Sequence, residues 1–273
     1  MTDHYAVIGN PIAHSKSPRI HAAFASQTKQ KLHYDKLLVE RGCLADAIAD
    51  FRQQGGKGLN ITVPFKNDAF DLADSLTERA QLAGAANTLV LNEDGTLHAD
   101  NTDGIGMVRD LTANHHFHLQ GKRILLLGAG GAVQGVLLPL LQQQPAEIVI
   151  ANRTVEKAQL LCEKFSSYGK LSASSFDALD GKTFDGIING TAASLQGEVP
   201  PLPDYILNKG AWCYDMMYSN EPTAFVRWGE QQGAAYSVDG LGMLVEQAAE
   251  SFALWRGVQP ETTPVIQLLR DAD

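Results

Sequence analysis

The sequence predicts an α/β protein made of two α/β domains, an N-terminal domain built on a mixed sheet and a second, Rossmann-like domain, with a cleft between them. Three observations support this prediction. Strand and helix patterns alternate along the chain, a continuous apolar run at 124–127 leads into a glycine-rich turn, and polar clusters follow several predicted strands. Because the carboxyl ends of strands in an open α/β sheet face the ligand crevice, these clusters predict the position of a binding site.

The first hundred residues alternate between short apolar runs and helical patterns. We predict strands at 5–9, 33–38, 58–63 and 88–91 and one ending near Ala99, and helices that open at Pro18, span 43–54, open at Pro64 and span 103–111. A turn at Glu93-Asp94-Gly95 is predicted to join the last two strands as a hairpin. This alternation favours a parallel or mixed sheet covered by helices.

A second α/β pattern begins at Ile124. We predict a strand, a glycine turn and a helix to about residue 141, then a strand at 147–151, a helix at 155–165, strands at 186–189 and 212–215, and helices at 243–255 and 263–270. The polar segment 112–122 is interpreted as the junction between the domains. Its histidines, His115, His116 and His118, lie on a predicted loop with no acidic partner nearby, so a metal site is not expected there.

Composition excludes several classes of protein. The chain has 273 residues, enough for two modest domains, and 44% hydrophobic residues, a normal globular value. It lacks any apolar run near the roughly 20 residues that span a bilayer. A net charge of -9 disfavours nucleic acid as a partner. No export signal is visible and Cys43, Cys162 and Cys213 show no metal-type spacing, so we expect reduced thiols in a cytoplasmic protein.

The glycine-rich turn predicts a dinucleotide site. Gly128, Ala129, Gly130, Gly131 and Ala132 follow the apolar strand and open a helix, with a second strand at the distance that a Rossmann-like domain requires. Glycines let the backbone approach a pyrophosphate, whose charge is met by the amide groups at the helix N-terminus. The alternative is a purely structural tight turn.

The end of the second strand indicates which dinucleotide binds. Asn152, Arg153 and Thr154 stand where an NAD-binding domain would usually present an acidic residue to the ribose hydroxyls. A guanidinium can bind a 2′-phosphate through charge-assisted bonds, so NADP is the predicted cofactor. Lys157, one helical turn further on, either adds a second positive charge or belongs to a solvated helix face.

Lys66 stands at the start of a predicted helix, where the helix dipole disfavours a cation by roughly 0.3–1 kcal/mol. It is therefore either an indifferent surface residue or is needed for its amine. Asp103 follows another predicted strand and suits both a ligand site and a helix N-cap, two compatible roles.

Together these segments resemble the shikimate dehydrogenases over nearly the whole chain. The matching segments are Ser15-Lys16-Ser17-Pro18, Asn60-Ile61-Thr62-Val63-Pro64-Phe65-Lys66, Ala85-Ala86-Asn87-Thr88, Asp100-Asn101-Thr102-Asp103-Gly104-Ile105-Gly106, and Asp239-Gly240-Leu241-Gly242-Met243-Leu244-Val245-Glu246-Gln247-Ala248. The resemblance implies reversible reduction of 3-dehydroshikimate by NADPH. In that reaction Lys66 exchanges a proton with the substrate oxygen and Asp103 lies beside it.

The resemblance also implies the remaining site residues. Substrate contacts are expected from Ser15, Ser17, Asn60, Thr62, Asn87, Tyr218 and Gln247, and the nicotinamide is expected between Met216 and Gly240. Ser17 also suits an N-cap, and Met216 also suits core packing. The chain departs from the family at Val133 and Gln134, where a basic residue is common, and in the loop 189–194, which is usually richer in hydroxyl groups or proline.

The implied domains are a discontinuous substrate domain at 1–103 plus 240–273 and an NADP domain at 104–239. A monomer or weak homodimer is expected, with a small molecule as the substrate.

Rival functions have partial support in the sequence. A short-chain dehydrogenase with Tyr205 and Lys209 is rejected because no long helix fits between Pro203 and Gly210. A quinate/shikimate dehydrogenase that also uses NAD stays open, and a dinucleotide-sensing regulatory module would not need Lys66 and Asp103.

Overall fold

A computed structural model describes residues 2–271. The chain forms two compact units. The first unit contains the residues up to Gly106 together with those from Val245 onward, and the second contains Met107–Leu244.

The first unit is built on a mixed sheet of six strands. Its elements are β1 (Asp3–Gly9), α1 (Ser17–Thr28), β2 (Leu32–Leu38), α2 (Leu44–Gln53), β3 (Gly56–Ile61), α3 (Lys66–Asp71), β4 (Ser75–Leu76), α4 (Glu78–Ala83), β5 (Thr88–Leu91), β6 (Leu97–Asp100) and α10 (Thr263–Arg270), together with the first part of α5 (Asp103–Arg109) and most of α9 (Leu241–Arg256). The strand order is β2-β1-β3-β5-β6-β4. The three strands β2, β1 and β3 run parallel, and β5 pairs antiparallel with both β3 and β6. The predicted mixed sheet is confirmed.

The second unit contains a fully parallel sheet of six strands. Its elements are β7 (Arg123–Leu127), α6 (Gly131–Leu141), β8 (Glu147–Ala151), α7 (Val155–Lys164), β9 (Leu171–Ser174), β10 (Phe184–Asn189), β11 (Leu207–Asp215), α8 (Ala224–Gln231) and β12 (Tyr236–Val238). The order β12-β11-β10-β7-β8-β9 is that of the doubly wound dinucleotide-binding fold. The Rossmann-like fold is confirmed.

Burial explains why the central strands read as unbroken apolar runs. Ile124 to Leu127 are fully buried in β7, which lies between β8 and β10 and is covered on both faces. In the first unit, Ala6 and Ile8 of β1 and Leu59 of β3 form the matching core. Because these strands are fixed by their cores, the residues that follow them are held at one edge of each sheet.

Several local predictions were wrong. The helix predicted to open at Pro64 begins at Lys66, because residues 62–65 form a turn in which Phe65 N donates to Thr62 O at 3.0 Å. The predicted helix over 103–111 ends at Arg109 and continues as a π-helix over Asp110–Asn114. The short elements β4, α4, β9, α8 and β12 were not predicted. β4, α4 and β12 have too few residues for a clear periodic pattern, whereas β9 and α8 are as long as the predicted β5 and α10 and were missed.

The junction segment also holds a correction. His115 does have an acidic neighbour, because its Nε2 lies 3.5 Å from Asp110 Oδ1. Among residues 2–271, no group of three or more His, Cys, Asp or Glu side chains is arranged to hold a metal ion. In the same residues, no helix is both long and apolar enough to cross a bilayer.

Gly106 is where α5 packs against α9 in the first unit. A Cβ at this position would lie 2.6 Å from Gln247 N and 2.9 Å from Gln247 Cα, which are backbone atoms that cannot move aside. We expect Gly106→Ala to lower the free energy of unfolding by about 1–3 kcal/mol despite the helix propensity of alanine. Urea unfolding of the ligand-free protein measures this. Gly131→Ala is the control, since a Cβ there meets nothing within 4 Å, and an equal loss in both variants contradicts the steric argument.

Candidate active site

Lys66 and Asp103 form an ion pair in the first unit. Lys66 Nζ donates to Asp103 Oδ2 at 2.5 Å. The Lys66 side chain is 29% exposed to solvent and the Asp103 side chain 19%. The backbone holds Lys66 in place because Ala86 N donates to Lys66 O at 2.8 Å. Asp103 is the first residue of α5 and its carboxylate faces Lys66, so the predicted N-cap role is wrong. The pair therefore presents a partly exposed amine held by a carboxylate.

Asn87 connects this pair to the helix α9. Its Nδ2 donates to Asp103 Oδ1 at 2.8 Å, to Thr102 Oγ1 at 2.9 Å and to Gln247 Oε1 at 3.2 Å. Its Oδ1 accepts from Thr102 N at 2.9 Å. The predicted site residues Lys66, Asn87, Asp103 and Gln247, each from a different segment of the sequence, thus lie in one hydrogen-bonded cluster.

Asn60 belongs to a buried polar network directly behind this cluster. Its Oδ1 accepts from Tyr34 Oη at 2.7 Å, and its Nδ2 donates to Ser251 Oγ at 3.0 Å and Thr88 Oγ1 at 3.3 Å. The Tyr34 ring stacks on His21 with centroids 4.2 Å apart. Burial lowers the pKa of His21 to about 3, so the imidazole packs as a neutral ring. The network restricts the orientation of the Asn60 amide.

Ser15 and Thr62 lie in loops of the same unit, and Ser17 begins α1. Ser15 Oγ accepts from Ser17 N at 3.3 Å, so Ser15 caps the turn that enters α1. Ser17 is the first residue of the helix, its predecessor Lys16 occupies the cap position, and the predicted N-cap role of Ser17 is wrong. Thr62 N donates to Ile8 O at 2.9 Å, which fixes the turn after β3. Tyr218, the predicted phenol contact, lies half-buried in the second unit after β11.

The glycine-rich turn of the second unit has the form that a pyrophosphate requires. Gly128 follows β7 with a φ of +102°, a conformation that glycine adopts without strain. A Cβ at Gly130 or Gly131 would meet no atom within 4 Å, so the backbone is open to a ligand where α6 begins. Ala129 completes the turn, and Gly131 and Ala132 are the first two residues of α6. The residues present fit a dinucleotide phosphate.

The segment after β8 is positioned beside this turn. Gly128 N donates to Ala151 O at 2.8 Å, which joins the ends of β7 and β8. Asn152 Nδ2 donates to Thr154 O at 2.8 Å and orders the bend that leads into α7. Arg153 and Lys157 are both exposed. The segment contains no carboxylate at the position where a ribose 2′-substituent is recognised.

Met216 and Gly240 lie together at the end of β11. A Cβ on Gly240 would lie 2.5 Å from Met216 O, and Gly240 N donates to Met217 O at 3.0 Å. Met216 is buried, and its Sδ would lie 3.1 Å from a Cβ on Gly190. Gly190 also packs against Val133 of α6, so the glycine turn, the loop after β10 and Met216 form one continuous surface.

Several residues that support these groups were missed from the sequence. Ser251 of α9 is hydrogen-bonded to Thr88 at the start of β5 and to Thr102 after β6. Arg79 forms an ion pair with Asp100, the last residue of β6, three residues before Asp103. Asp215 sits at the end of β11 with no exposed surface. For Asp100 and Asp215 a signal existed, since a carboxylate directly at the end of an apolar strand must find buried partners.

Comparisons with known proteins place this geometry in context. Residues 7–89 match the shikimate dehydrogenase substrate binding domain, residues 110–196 match the shikimate / quinate 5-dehydrogenase domain, and residues 240–270 match the shikimate 5′-dehydrogenase C-terminal domain. The chain is 60% identical over 270 residues to the shikimate dehydrogenase (NADP(+)) of Cellvibrio japonicus, covering 99% of this chain and 98% of that protein.

Solved structures of other proteins are also similar to this chain over nearly its whole length. An Ael1 enzyme from Pseudomonas putida is 48% identical with a TM-score of 0.93, and the match covers 98% of each chain. The shikimate 5-dehydrogenase of Thermus thermophilus, solved with NADP(H) and shikimate, is 28% identical with a TM-score of 0.87, and the match covers 100% of both chains.

Proposed function

The chain belongs to the shikimate dehydrogenase family, and on that premise we propose that it catalyses the reversible reduction of 3-dehydroshikimate to shikimate by NADPH in aromatic biosynthesis. The observation that carries the proposal is the Lys66–Asp103 pair, bonded through Asn87 to Gln247. A dinucleotide-sensing module has no use for a proton donor held in this way.

Initial rates with two substrates and two cofactors test the function. We expect turnover of 3-dehydroshikimate with NADPH to exceed turnover with NADH, and to exceed turnover of 3-dehydroquinate with either cofactor. Comparable rates on both substrates with both cofactors indicate a quinate/shikimate dehydrogenase of dual cofactor use. Absence of turnover in all four reactions contradicts the proposal.

The chemistry requires a proton at the carbonyl oxygen. When bound, NADPH supplies the hydride that reduces the carbonyl carbon of the substrate. Lys66 Nζ gives a proton to the oxygen as it gains negative charge, and takes a proton back in the reverse direction. Asp103 holds the amine at 2.5 Å and keeps it aimed, since Asp103 is itself fixed by Asn87.

We assign the remaining polar groups of the first unit to the substrate. The hydroxyl groups of Ser15 and Ser17 bind the carboxylate, and Asn60, Thr62, Asn87 and Gln247 bind the ring hydroxyls. The net charge of -9 repels an anionic substrate, so this local set of uncharged donors beside Lys66 has to provide the attraction.

The second unit is assigned to the cofactor. The turn Gly128 to Ala132 holds the pyrophosphate, Asn152, Arg153, Thr154 and Lys157 hold the adenosine ribose with its 2′-phosphate, and Met216 and Gly240 flank the nicotinamide. Cys43, Cys162 and Cys213 are free thiols, which is consistent with the cytoplasmic site of action that we propose.

Arg153 is predicted to determine the cofactor preference. We expect Arg153→Ser to raise KM for NADPH about 10- to 100-fold with little change in kcat, because charge-assisted bonds to the 2′-phosphate contribute about 1.5–3 kcal/mol. KM for NADH, which lacks that phosphate, should stay the same. Lys164→Gln, an exposed charge at the other end of α7, is the control. An equal loss with both cofactors contradicts the assignment.

A further inference from the structure

Asp215 is a buried carboxylate to which the proposed reaction gives no role. It ends β11 and has no exposed surface. Burial raises the pKa of Asp215 above its ordinary value, although hydrogen bonds from Ser194, Thr223, Met217 and Asn189 act in the opposite direction. Burying such a group is costly, so its retention has to be explained by what its donors do.

The donors of Asp215 come from the neighbouring strand β10 and from the residues that follow Met216. Asn189 Nδ2 donates to Asp215 Oδ1 at 3.0 Å, and Met217 N donates to the same oxygen at 3.1 Å. Thr223 Oγ1 donates to Oδ2 at 2.6 Å. Met216 N in turn donates to Asn189 O at 2.9 Å. The backbone around Met216 is therefore fixed by one carboxylate and one asparagine.

The same asparagine fixes the loop after β10. Asn189 Oδ1 accepts from Thr191 N at 3.1 Å and from Thr191 Oγ1 at 2.7 Å. Gly190 lies between them and faces Met216 and Val133. One oxygen of Asp215 thus determines how Asn189 is oriented, and Asn189 determines the loop that packs on Met216.

We propose that Asp215 is a positioning residue for the nicotinamide end of NADP, acting through Asn189 and Met217 on Met216 and the loop 190–194. The inference rests on the proposed function, which assigns the nicotinamide to Met216. It predicts that a change at Asp215 affects the nicotinamide end of the cofactor and leaves the adenosine end unaffected.

Asp215→Asn tests this, because it keeps the shape but replaces one carboxylate oxygen by an NH2 group. At the Oδ1 position that group faces the donors Asn189 Nδ2 and Met217 N, and at the Oδ2 position it reverses the bond from Thr223 Oγ1. We expect kcat/KM for NADPH to fall about 10- to 100-fold, since small misplacements of a reacting group cost that much. In calorimetric titrations, affinity for NADP+ should fall, whereas affinity for 2′,5′-ADP, which carries the 2′-phosphate but no nicotinamide, should stay within about twofold.

Asp185→Asn is the matched control at the opposite end of the same strands. Asp185 accepts from Arg123 N at 2.9 Å and from Asn208 Nδ2 at 3.0 Å, so it also binds one amide side chain and one backbone N–H. It should lose stability without changing either affinity. If Asp215→Asn does not fold, two variants of Thr223 are compared instead. Thr223→Val removes the donor to Oδ2, and Thr223→Ser keeps it. We expect Thr223→Val, but not Thr223→Ser, to lose affinity for NADP+ while keeping its affinity for 2′,5′-ADP.

The outcomes separate the inference from the proposed function. A folded Asp215→Asn with unchanged kcat/KM, or one that loses NADP+ and 2′,5′-ADP equally, overturns the role of Asp215. In the fallback pair, the role of Asp215 is also overturned if Thr223→Val binds NADP+ as tightly as Thr223→Ser does. A wild-type protein that binds no NADP+ or does not reduce 3-dehydroshikimate overturns the proposed function instead.

Discussion

Lys66→Ala is expected to lower kcat for reduction of 3-dehydroshikimate by about 10²- to 10⁴-fold, the usual contribution of a general acid. KM for NADPH should hardly change, because Lys66 and the proposed cofactor residues belong to different units of the chain. Steady-state kinetics at saturating concentrations of both reactants measures the two constants separately. An unaltered kcat removes Lys66 from the mechanism.

Lys66→Arg distinguishes proton transfer from simple attraction. Arginine keeps the positive charge but does not release its proton at accessible pH, so it should restore little of the lost kcat. Recovery close to the wild-type rate indicates instead that the charge alone is needed. Lys57→Ala is the control, since Lys57 is a half-buried lysine near the opposite end of β3, with its Nζ 3.5 Å from Glu93 Oε1.

The effects on kcat of substituting Lys66 and Asp103 should also not be additive. If Asp103 serves only to hold the amine, Lys66→Ala combined with Asp103→Ala should be about as slow as Lys66→Ala alone, because groups that act as a unit are not additive. Losses that multiply indicate that Asp103 contacts the substrate separately.

The sequence was sufficient to predict the central strands of both sheets and the segments that follow them, but not the short strands β4, β9 and β12. β5 and α10 were predicted to the residue, because a short apolar run and a threonine-proline start leave few alternatives. The rule that the carboxyl ends of strands in α/β sheets hold ligands then predicted the positions of Lys66 and Asp103. Asn87 precedes β5 and reaches the same end of the sheet because β5 runs antiparallel to β3.

The predictions failed where a local motif has two structural outcomes. Ser17 and Asp103 have the composition of helix caps, yet each is the first residue of its helix. Pro64 is a favoured first helical residue, and it lies in a turn instead. In each case a local hydrogen bond from a residue two or three positions away is formed instead: Asn101 Oδ1 accepts from Asp103 N, Ser15 Oγ accepts from Ser17 N, and Thr62 O accepts from Phe65 N.

The supporting residues could not be predicted because their partners are distant in sequence. Ser251 lies 191 residues from Asn60 and 163 from Thr88, and its side chain alone gives no sign of either contact. Glu250 is likewise 171 residues from Arg79. Such pairs are defined only once α9 has packed on the sheet, so they belong to tertiary structure.

Asp100 and Arg79 form a deeply buried ion pair. Arg79 Nε donates to Asp100 Oδ1 at 2.7 Å and Nη2 donates to Oδ2 at 2.5 Å, while the Asp100 side chain is only 1% exposed. Thr77 Oγ1 and Asn101 N also donate to Oδ1, at 2.6 and 2.7 Å. The carboxylate therefore fixes the start of the segment that leads to Asp103.

Arg79→Leu should lower the free energy of unfolding at pH 7 by about 3–5 kcal/mol, because it leaves Asp100 as a buried charge without its partner. Urea unfolding measures this loss. Arg123→Leu is the control, since its pair with Glu147 is more exposed and should contribute about 1 kcal/mol or less. Equal losses in the two variants contradict the argument from burial.

The loss in Arg79→Leu should also depend on pH in a defined direction. Burial by itself raises the pKa of Asp100, but the bonds and charge of Arg79, with Thr77 and Asn101, hold it below the ordinary value. A carboxyl whose folded pKa is depressed stabilises the fold above its unfolded pKa of about 4, and this stabilisation is lost as the pH falls through the folded pKa. The difference between wild type and Arg79→Leu should therefore be largest near pH 7 and shrink as the pH falls. The decrease should begin above about pH 4, where the buried carboxyl of the variant, whose pKa is raised without Arg79, takes up its proton, and continue below it, where the wild type loses its own stabilisation. A difference that stays constant down to about pH 3 in urea titrations indicates that Arg79 stabilises the protein through packing of its side chain, and not through Asp100.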